Sequence, residues 1–145
     1  MRRGWGDLMS ENPILILTHV QRGYPEALDV QKDIRRYIAD NSPVVYQLIQ
    51  NPDSFGELLI QEGQKFPSKN GEIPEDLKAI LADEANKGTR VVVAGGLEDV
   101  CLPETLSELE QLNLEPTTLF KGVFPKKRFF ERLLRRYINH QNYTF

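Results

Sequence analysis

Two short runs of consecutive apolar residues constrain the fold of this chain more than any other feature. Residues 14–17 read Ile-Leu-Ile-Leu, and residues 91–94 read Val-Val-Val-Ala. Neither run alternates between apolar and polar side chains, which predicts strands that are buried on both faces, as in parallel sheets. Both runs are far shorter than the roughly 20 apolar residues that a membrane-spanning helix needs.

Helical patterns stand between these runs and two further predicted strands. Apolar residues recur at three-to-four spacing after Pro25, Pro74 and Pro103, and proline is favoured in the first turn of a helix. Residues 43–48 and 116–120 predict the two further strands. Strands that alternate with helices predict an α/β fold, a three-layer α/β/α arrangement with a mostly parallel, Rossmann-like sheet.

The middle of the chain is predicted to be less regular. Capping residues in Asn51-Pro52-Asp53-Ser54 predict a short helix that continues through residues 58–60, and residues 63–71 are predicted to be irregular because they contain Pro67 and an Asn-Gly pair.

With 145 residues, the chain has the length of one domain. We predict an N-terminal tail over residues 1–12 and a single domain over residues 13–145. One cysteine excludes an intrachain disulfide framework, and no apolar segment typical of a signal peptide follows the basic start of the chain. Both features favour a reducing compartment and predict a cytoplasmic protein.

Charge is distributed unevenly along the sequence. Eighteen Lys and Arg residues against 21 Asp and Glu residues give a net charge of −3, which does not favour nucleic-acid binding. Six of the cations, however, fall within residues 126–136. They are Lys126, Lys127, Arg128, Arg132, Arg135 and Arg136. They form either a solvated helix face or a contact for an anionic partner. A small-molecule ligand and a second copy of the chain in a homo-oligomer are the other expected partners, and no membrane is expected.

Three residues are candidates for chemistry because each is predicted near the carboxyl end of a strand, where ligands bind in such folds. Cys101 follows a strand and a Gly-Gly turn and precedes a helix, so its thiolate would be stabilised there, although a lone cysteine is also often an inert buried residue. His19 ends the first strand and could accept a thiol proton, or it could be an ordinary loop histidine. Lys65 lies in the irregular segment, where a solvated lysine is the alternative.

No spacing typical of a metal site or a nucleotide cofactor is present. The two histidines are far apart, and neither a phosphate-binding glycine loop nor a dinucleotide motif occurs. We therefore predict no metal and no cofactor.

Three segments, in this order, resemble the isochorismatase-like cysteine hydrolases, which include nicotinamidases. The segments are Ile16-Leu17-Thr18-His19-Val20-Gln21-Arg22-Gly23-Tyr24, then Lys65-Phe66-Pro67-Ser68 with Asp76-Leu77, and finally Val91-Val92-Val93-Ala94-Gly95-Gly96-Leu97-Glu98-Asp99-Val100-Cys101-Leu102. The third is the most specific, because it resembles the family's strand, glycine turn and Thr-Asp/Asn-Val-Cys-Val signature.

The resemblance implies an isochorismatase-like fold and a role for each candidate residue. Cys101 matches the nucleophile and Lys65 the active-site lysine, while His19 stands where the family has its catalytic aspartate. The amides of Leu97 and Cys101 match the oxyanion hole, and the Gly96–Leu97 bond matches a cis peptide. The resemblance therefore implies a hydrolase that cleaves an amide or related bond of a small molecule through Cys101.

Two departures from the family pattern favour an alternative. The aspartate is replaced by His19, and the chain between Tyr46 and Lys65 is shorter than in family enzymes, which commonly carry metal ligands and substrate-covering residues there. The alternative is a catalytically degenerate homologue that binds a small ligand or another protein.

Overall fold

The computed structural model of the chain describes residues 12–97, 100–125 and 143–144. Residues 1–11, which hold nearly all of the predicted tail, lie outside the described residues. The six clustered cations within residues 126–136 lie outside them as well, so their predicted contact with an anionic partner stays a prediction.

A six-stranded sheet forms the centre of the molecule, in the order β3-β2-β1-β4-β5-β6, and every described strand pair is parallel. The predicted α/β fold with a parallel sheet is confirmed. The strands are β1 (Ile14–Thr18), β2 (Val44–Ile49), β3 (Gln64–Pro67), β4 (Val91–Gly95), β5 (Thr117–Val123) and β6 (Tyr143–Thr144), and the helices are α1 (Ala27–Asn41), α2 (Pro52–Phe55), α3 (Glu75–Asn86) and α4 (Cys101–Gln111).

Two hydrophobic layers explain why β1 and β4 lack polar alternation. Ile14 and Ile16 of β1 belong to the layer that α3 and α4 cover, whereas Leu15 and Leu17 belong to the layer that α1 covers. All five residues of β1 and all five of β4 are buried. Since both faces are covered, an apolar side chain is favoured at every strand position.

The predicted helix through residues 58–60 is wrong. The helix in this region is α2, where the side chain of Asn51 accepts a hydrogen bond from the amide of Asp53 (3.1 Å). Leu58 instead forms an antiparallel bridge with Gln21. Leu59 and Ile60 lie buried in the layer under α1, since tertiary burial decides the conformation of so short an apolar run.

The predicted irregularity of residues 63–71 is wrong in part, because residues 64–67 form the edge strand β3. Its register places Lys65 opposite Gln47 and Phe66 opposite Leu48 of β2. Only Phe66 of this strand is buried. An edge strand is specified by pairing with its neighbour, so its sequence carries little of the apolar signal that marks β1.

The buried side chain of Gln21 fastens the loop after β1 to the segment that follows β2. Its amide nitrogen donates to the carbonyls of Gln50 (2.7 Å) and Gly56 (2.8 Å), and its oxygen accepts from the amide of Gln50 (2.8 Å). Gln47 donates in the same way to the carbonyl of Ile60 (2.6 Å). These bonds hold the short connection between β2 and β3 against the sheet.

None of the described helices combines the length and the apolar character that a bilayer crossing requires.

Replacing Gln21 by alanine is expected to lower the free energy of unfolding by about 2–3 kcal/mol, because it removes three buried hydrogen bonds worth about 1 kcal/mol each. Urea denaturation followed by circular dichroism measures this loss. Gln61→Ala is the matched control, since the exposed side chain of Gln61 makes one hydrogen bond, to the carbonyl of Leu58. Equal losses in the two variants would contradict the role given to Gln21.

Candidate active site

Cys101 is the first residue of α4, directly beyond the turn that leaves β4. The sequence predicted that this helix opens at Pro103, two residues later. Proline is tolerated within the first turn because amides there have no intrahelical acceptor. The earlier start makes the amide of Cys101 itself one of the first-turn donors.

The turn between β4 and α4 brings backbone groups close to the sulfur. Gly95 has φ +116°, and a side chain there would collide with the carbonyl of Thr18 at the end of β1. The Gly96–Leu97 peptide bond is cis, at the position where the family resemblance implies one. The backbone amide of Leu97 donates a hydrogen bond to the Cys101 thiol. The carbonyl of Leu97 accepts hydrogen bonds from the amides of Val100 (3.1 Å) and Leu102 (3.0 Å).

Burial sets the protonation state of the thiol. Cys101 is only 3% exposed. Its burial raises the pKa of the thiol above the ordinary value, and the Leu97 amide lowers that pKa by less than burial raises it. The sequence-based expectation of an acidic thiol at the start of α4 is therefore wrong, because desolvation of the thiolate outweighs the favourable backbone groups.

His19 occupies the equivalent position at the end of β1, and it is fully buried. Its backbone is left-handed, with φ +54°, and its amide donates to the carbonyl of Leu48 (3.0 Å). Neither ring nitrogen has a hydrogen-bond partner among the described residues. Burial lowers the pKa of His19 to about 4, so the imidazole is neutral near pH 7.

Cys101 and His19 share the carboxyl edge of the sheet but are not joined by a hydrogen bond. Thr18 and Gly95, which precede them on β1 and β4, face each other in the pairing of these neighbouring strands. Moving the thiol proton to the imidazole is strongly unfavourable, because burial raises the pKa of the Cys101 thiol and lowers the pKa of His19 to about 4. The resting site therefore holds a neutral thiol and a neutral imidazole.

Lys65 lies at the edge of the sheet rather than beside the thiol. Its amine donates to the carbonyls of Gln61 and Gly63, both at 3.0 Å. The register aligns Lys65 in one row with Gln47, Leu17 and Ala94, so three strand spacings of about 4.8 Å each separate it from β4. The structure brings Cys101 and His19 to one edge and leaves Lys65 exposed with partners in its own segment.

Tyr24 is a site residue that sequence reasoning did not single out. Its ring stacks on Phe55 with centroids 5.5 Å apart, and it lies 5.9 Å from the ring of Phe124. Burial raises the pKa of the Tyr24 phenol, and the nearby Cys101 raises it further. The position of Tyr24 in the first motif was a signal, but Phe55 and Phe124 are too distant in sequence to mark the cluster.

A buried network of hydroxyl groups lies next to the backbone of Cys101. Thr105 donates to the carbonyl of Gly71 (2.8 Å), and its oxygen lies 3.2 Å from the hydroxyl of Thr18. Gly71 lies so close to Cys101 that an added side chain would collide with the Cys101 carbonyl. This contact docks the loop after β3 against the start of α4.

No group of three or more His, Cys, Asp or Glu side chains within residues 12–97 and 100–125 is arranged to hold a metal ion.

Solved structures share this arrangement of strands and helices. An isochorismatase-like hydrolase from Alkaliphilus metalliredigens superposes with a TM-score of 0.70 at 13% identity, over 91% of this chain and 94% of that one. A nicotinamidase from Staphylococcus aureus gives a TM-score of 0.68 at 15% identity, over 88% and 94%. This chain has the isochorismatase-like hydrolase fold. No protein-family model and no curated protein matches the sequence.

The same fold also occurs in a protein described by a different activity. The MAR1 ribonuclease of Caenorhabditis elegans matches with a TM-score of 0.63 at 15% identity, over 86% of this chain and 73% of that one. Isochorismatase-like architecture therefore does not fix the reaction, which must be argued from the site itself.

Acid is expected to destabilise the fold through His19. The unfolded imidazole binds a proton near pH 6.5, whereas the folded one does so only near pH 4, so the free energy of unfolding should fall by about 2 kcal/mol between pH 8 and pH 5. Stability is complete above pH 6.5 and is lost as the pH falls towards 4. Urea denaturation across this range measures the loss, which His19→Leu should remove.

Should His19→Leu fail to fold, the ring protons of wild-type His19 can be followed by NMR. A midpoint above pH 6 would contradict the proposed environment of His19.

Alkylation of Cys101 by iodoacetamide at pH 7.5 is expected to be at least about 10-fold slower in the folded chain than in urea, because the folded thiol is buried and has a raised pKa. The unfolded chain is its own control, since Cys101 is the only cysteine. A folded thiol that reacts as fast as the unfolded one would refute the neutral, shielded state.

Proposed function

We propose that this chain is a catalytically silent relative of the isochorismatase-like hydrolases that binds a small amide or carboxylate ligand beside Cys101. One observation carries the proposal: the proton acceptor of the candidate pair, His19, is neutral, fully buried and without a hydrogen bond to the thiol. A thiol without a functioning base is a poor nucleophile at neutral pH.

Binding a ligand requires hydrogen-bond donors and a contact surface but no proton acceptor for the thiol, and the chain offers both. The amides of Leu97 and Cys101 are donors of the kind that hold carbonyl and carboxylate oxygens, and the neutral thiol adds a weak donor. Tyr24 adds an aromatic face and a hydroxyl that stays protonated because its pKa is raised. A ligand with an oxygen acceptor and a flat apolar part would use both features.

The second candidate function is hydrolysis by a cysteine nucleophile. The Leu97 amide at the Cys101 sulfur favours it, because the same donor can stabilise developing negative charge. In this reaction Sγ would attack the carbonyl carbon while an imidazole nitrogen of His19 takes the thiol proton. The proton would then pass to the leaving amine, and water would cleave the thioester.

We retain two further expectations with this proposal. A cytoplasmic location agrees with a single free cysteine, because disulfide-free proteins are typical of a reducing compartment. A homo-oligomer is the second expectation.

The two functions are separated by measuring binding and turnover on the same samples. Nicotinamide and pyrazinamide serve as amide probes, and nicotinate serves as the carboxylate probe. Calorimetry should detect binding of at least one probe with a similar Kd for the wild type and Cys101→Ser, because the donors are backbone amides. Ammonia release from the two amides should not exceed that of a sample without protein.

Turnover that Cys101→Ser abolishes would overturn the proposal and establish the hydrolase. Absence of binding by all three probes at millimolar concentration would overturn the proposed ligand class.

A further inference from the structure

A second candidate site lies at the other end of β4 from Cys101. A cavity of about 300 Å³ opens between α1, the residue before β4, and β5. Arg90 directly precedes β4, whereas Cys101 follows it, so β4, about 16 Å long at about 3.3 Å per residue, separates the cavity from the candidate active site. A volume of this size is at the lower end for small-molecule sites.

Positive charge is the most distinctive property of its wall. Arg36 from α1, Arg90 and Lys121 from β5 all line the cavity. They come from three separate elements, and none of them forms an ion pair with any residue of the described ranges. All three cations are exposed and are not engaged in these ion pairs, so their charges are available to an anion that enters the cavity.

The other residues that line the cavity provide an apolar surface and further hydrogen-bonding groups. Buried Leu119 forms an apolar part, and Tyr37 is nearly buried with its phenol close enough to Arg90 for the guanidinium to lower its pKa, against the larger effect of burial. The carboxylates of Asp33 and Asp40 also line the cavity. Asp33 already takes part in another interaction, so Asp40 is the carboxylate that would accept a hydrogen bond from a hydroxyl group of a ligand.

We propose that this cavity binds a small hydroxyl-bearing phosphate ester, with Arg36, Arg90 and Lys121 around the phosphate. Guanidinium groups match the geometry of phosphate oxygens with paired hydrogen bonds, and a lysine adds a point charge. The carboxylate of Asp40 on the wall favours an ester with hydroxyl groups over inorganic phosphate. The site is independent of the function proposed for the Cys101 turn.

The test uses the full chain and three probes, namely glucose 6-phosphate, inorganic phosphate and citrate. Calorimetry and thermal unfolding should show that glucose 6-phosphate binds more tightly than inorganic phosphate and raises Tm. Arg36→Gln, Arg90→Gln and Lys121→Gln should each weaken glucose 6-phosphate binding about 10-fold, as expected for the loss of one charge-assisted hydrogen bond. Lys32→Gln is the matched control, because Lys32 is exposed on the same helix but does not line the cavity.

Cys101→Ser should bind glucose 6-phosphate as the wild type does, which separates this site from the Cys101 turn. No binding of glucose 6-phosphate at millimolar concentration would overturn the proposal. Binding that Lys32→Gln weakens as much as Arg90→Gln would overturn it too, because attraction to general surface charge would explain it. Citrate bound in preference to both phosphates would overturn the ligand class.

Discussion

The parallel pairing of β1 with β2 and β4 is the constraint on which the rest of the molecule depends. Because β1 is central and buried on both faces, it needs one helical layer against each face and apolar residues throughout. The same pairing fixes where the strands end. It places His19 and the turn before Cys101 at one edge of the sheet, and the start of β4, with Arg90, at the other.

At the carboxyl edge, two opposing effects act on the thiol. The start of α4 and the Leu97 amide favour a thiolate, while burial of Cys101 favours the neutral form, and burial is the larger effect. His19 is subject to the same desolvation, which keeps its ring neutral as well. A carboxylate at that position would introduce a fixed charge, whereas the imidazole can remain uncharged in the interior. A histidine at this position, where the resemblance implies an aspartate, is therefore compatible with a buried, uncharged edge.

The sequence predicted the elements that are specified locally. The α/β fold was predicted from the apolar runs of β1 and β4 and from the periodicity of α1, α3 and α4. The resemblance predicted the position of the cis bond at Gly96–Leu97. What it could not predict depends on tertiary contacts. β3 is specified by its pairing with β2, the burial of Leu59 and Ile60 depends on α1, and the placement of Lys65 follows from the register of an edge strand. The raised pKa of Cys101 could not be predicted because sequence position shows the helix start but not the depth of burial.

The state of Cys101 also has a consequence for oxidative chemistry. Peroxides attack the thiolate rather than the thiol, and exposed thiolates are the ones converted to sulfenic acid. A sole cysteine that is buried and protonated presents little of the reactive form, and no second cysteine exists to trap a sulfenic acid as an intrachain disulfide. The turn that in a cysteine hydrolase would be its most oxidation-sensitive point is, in this chain, protected by the same burial that keeps the Cys101 thiol protonated.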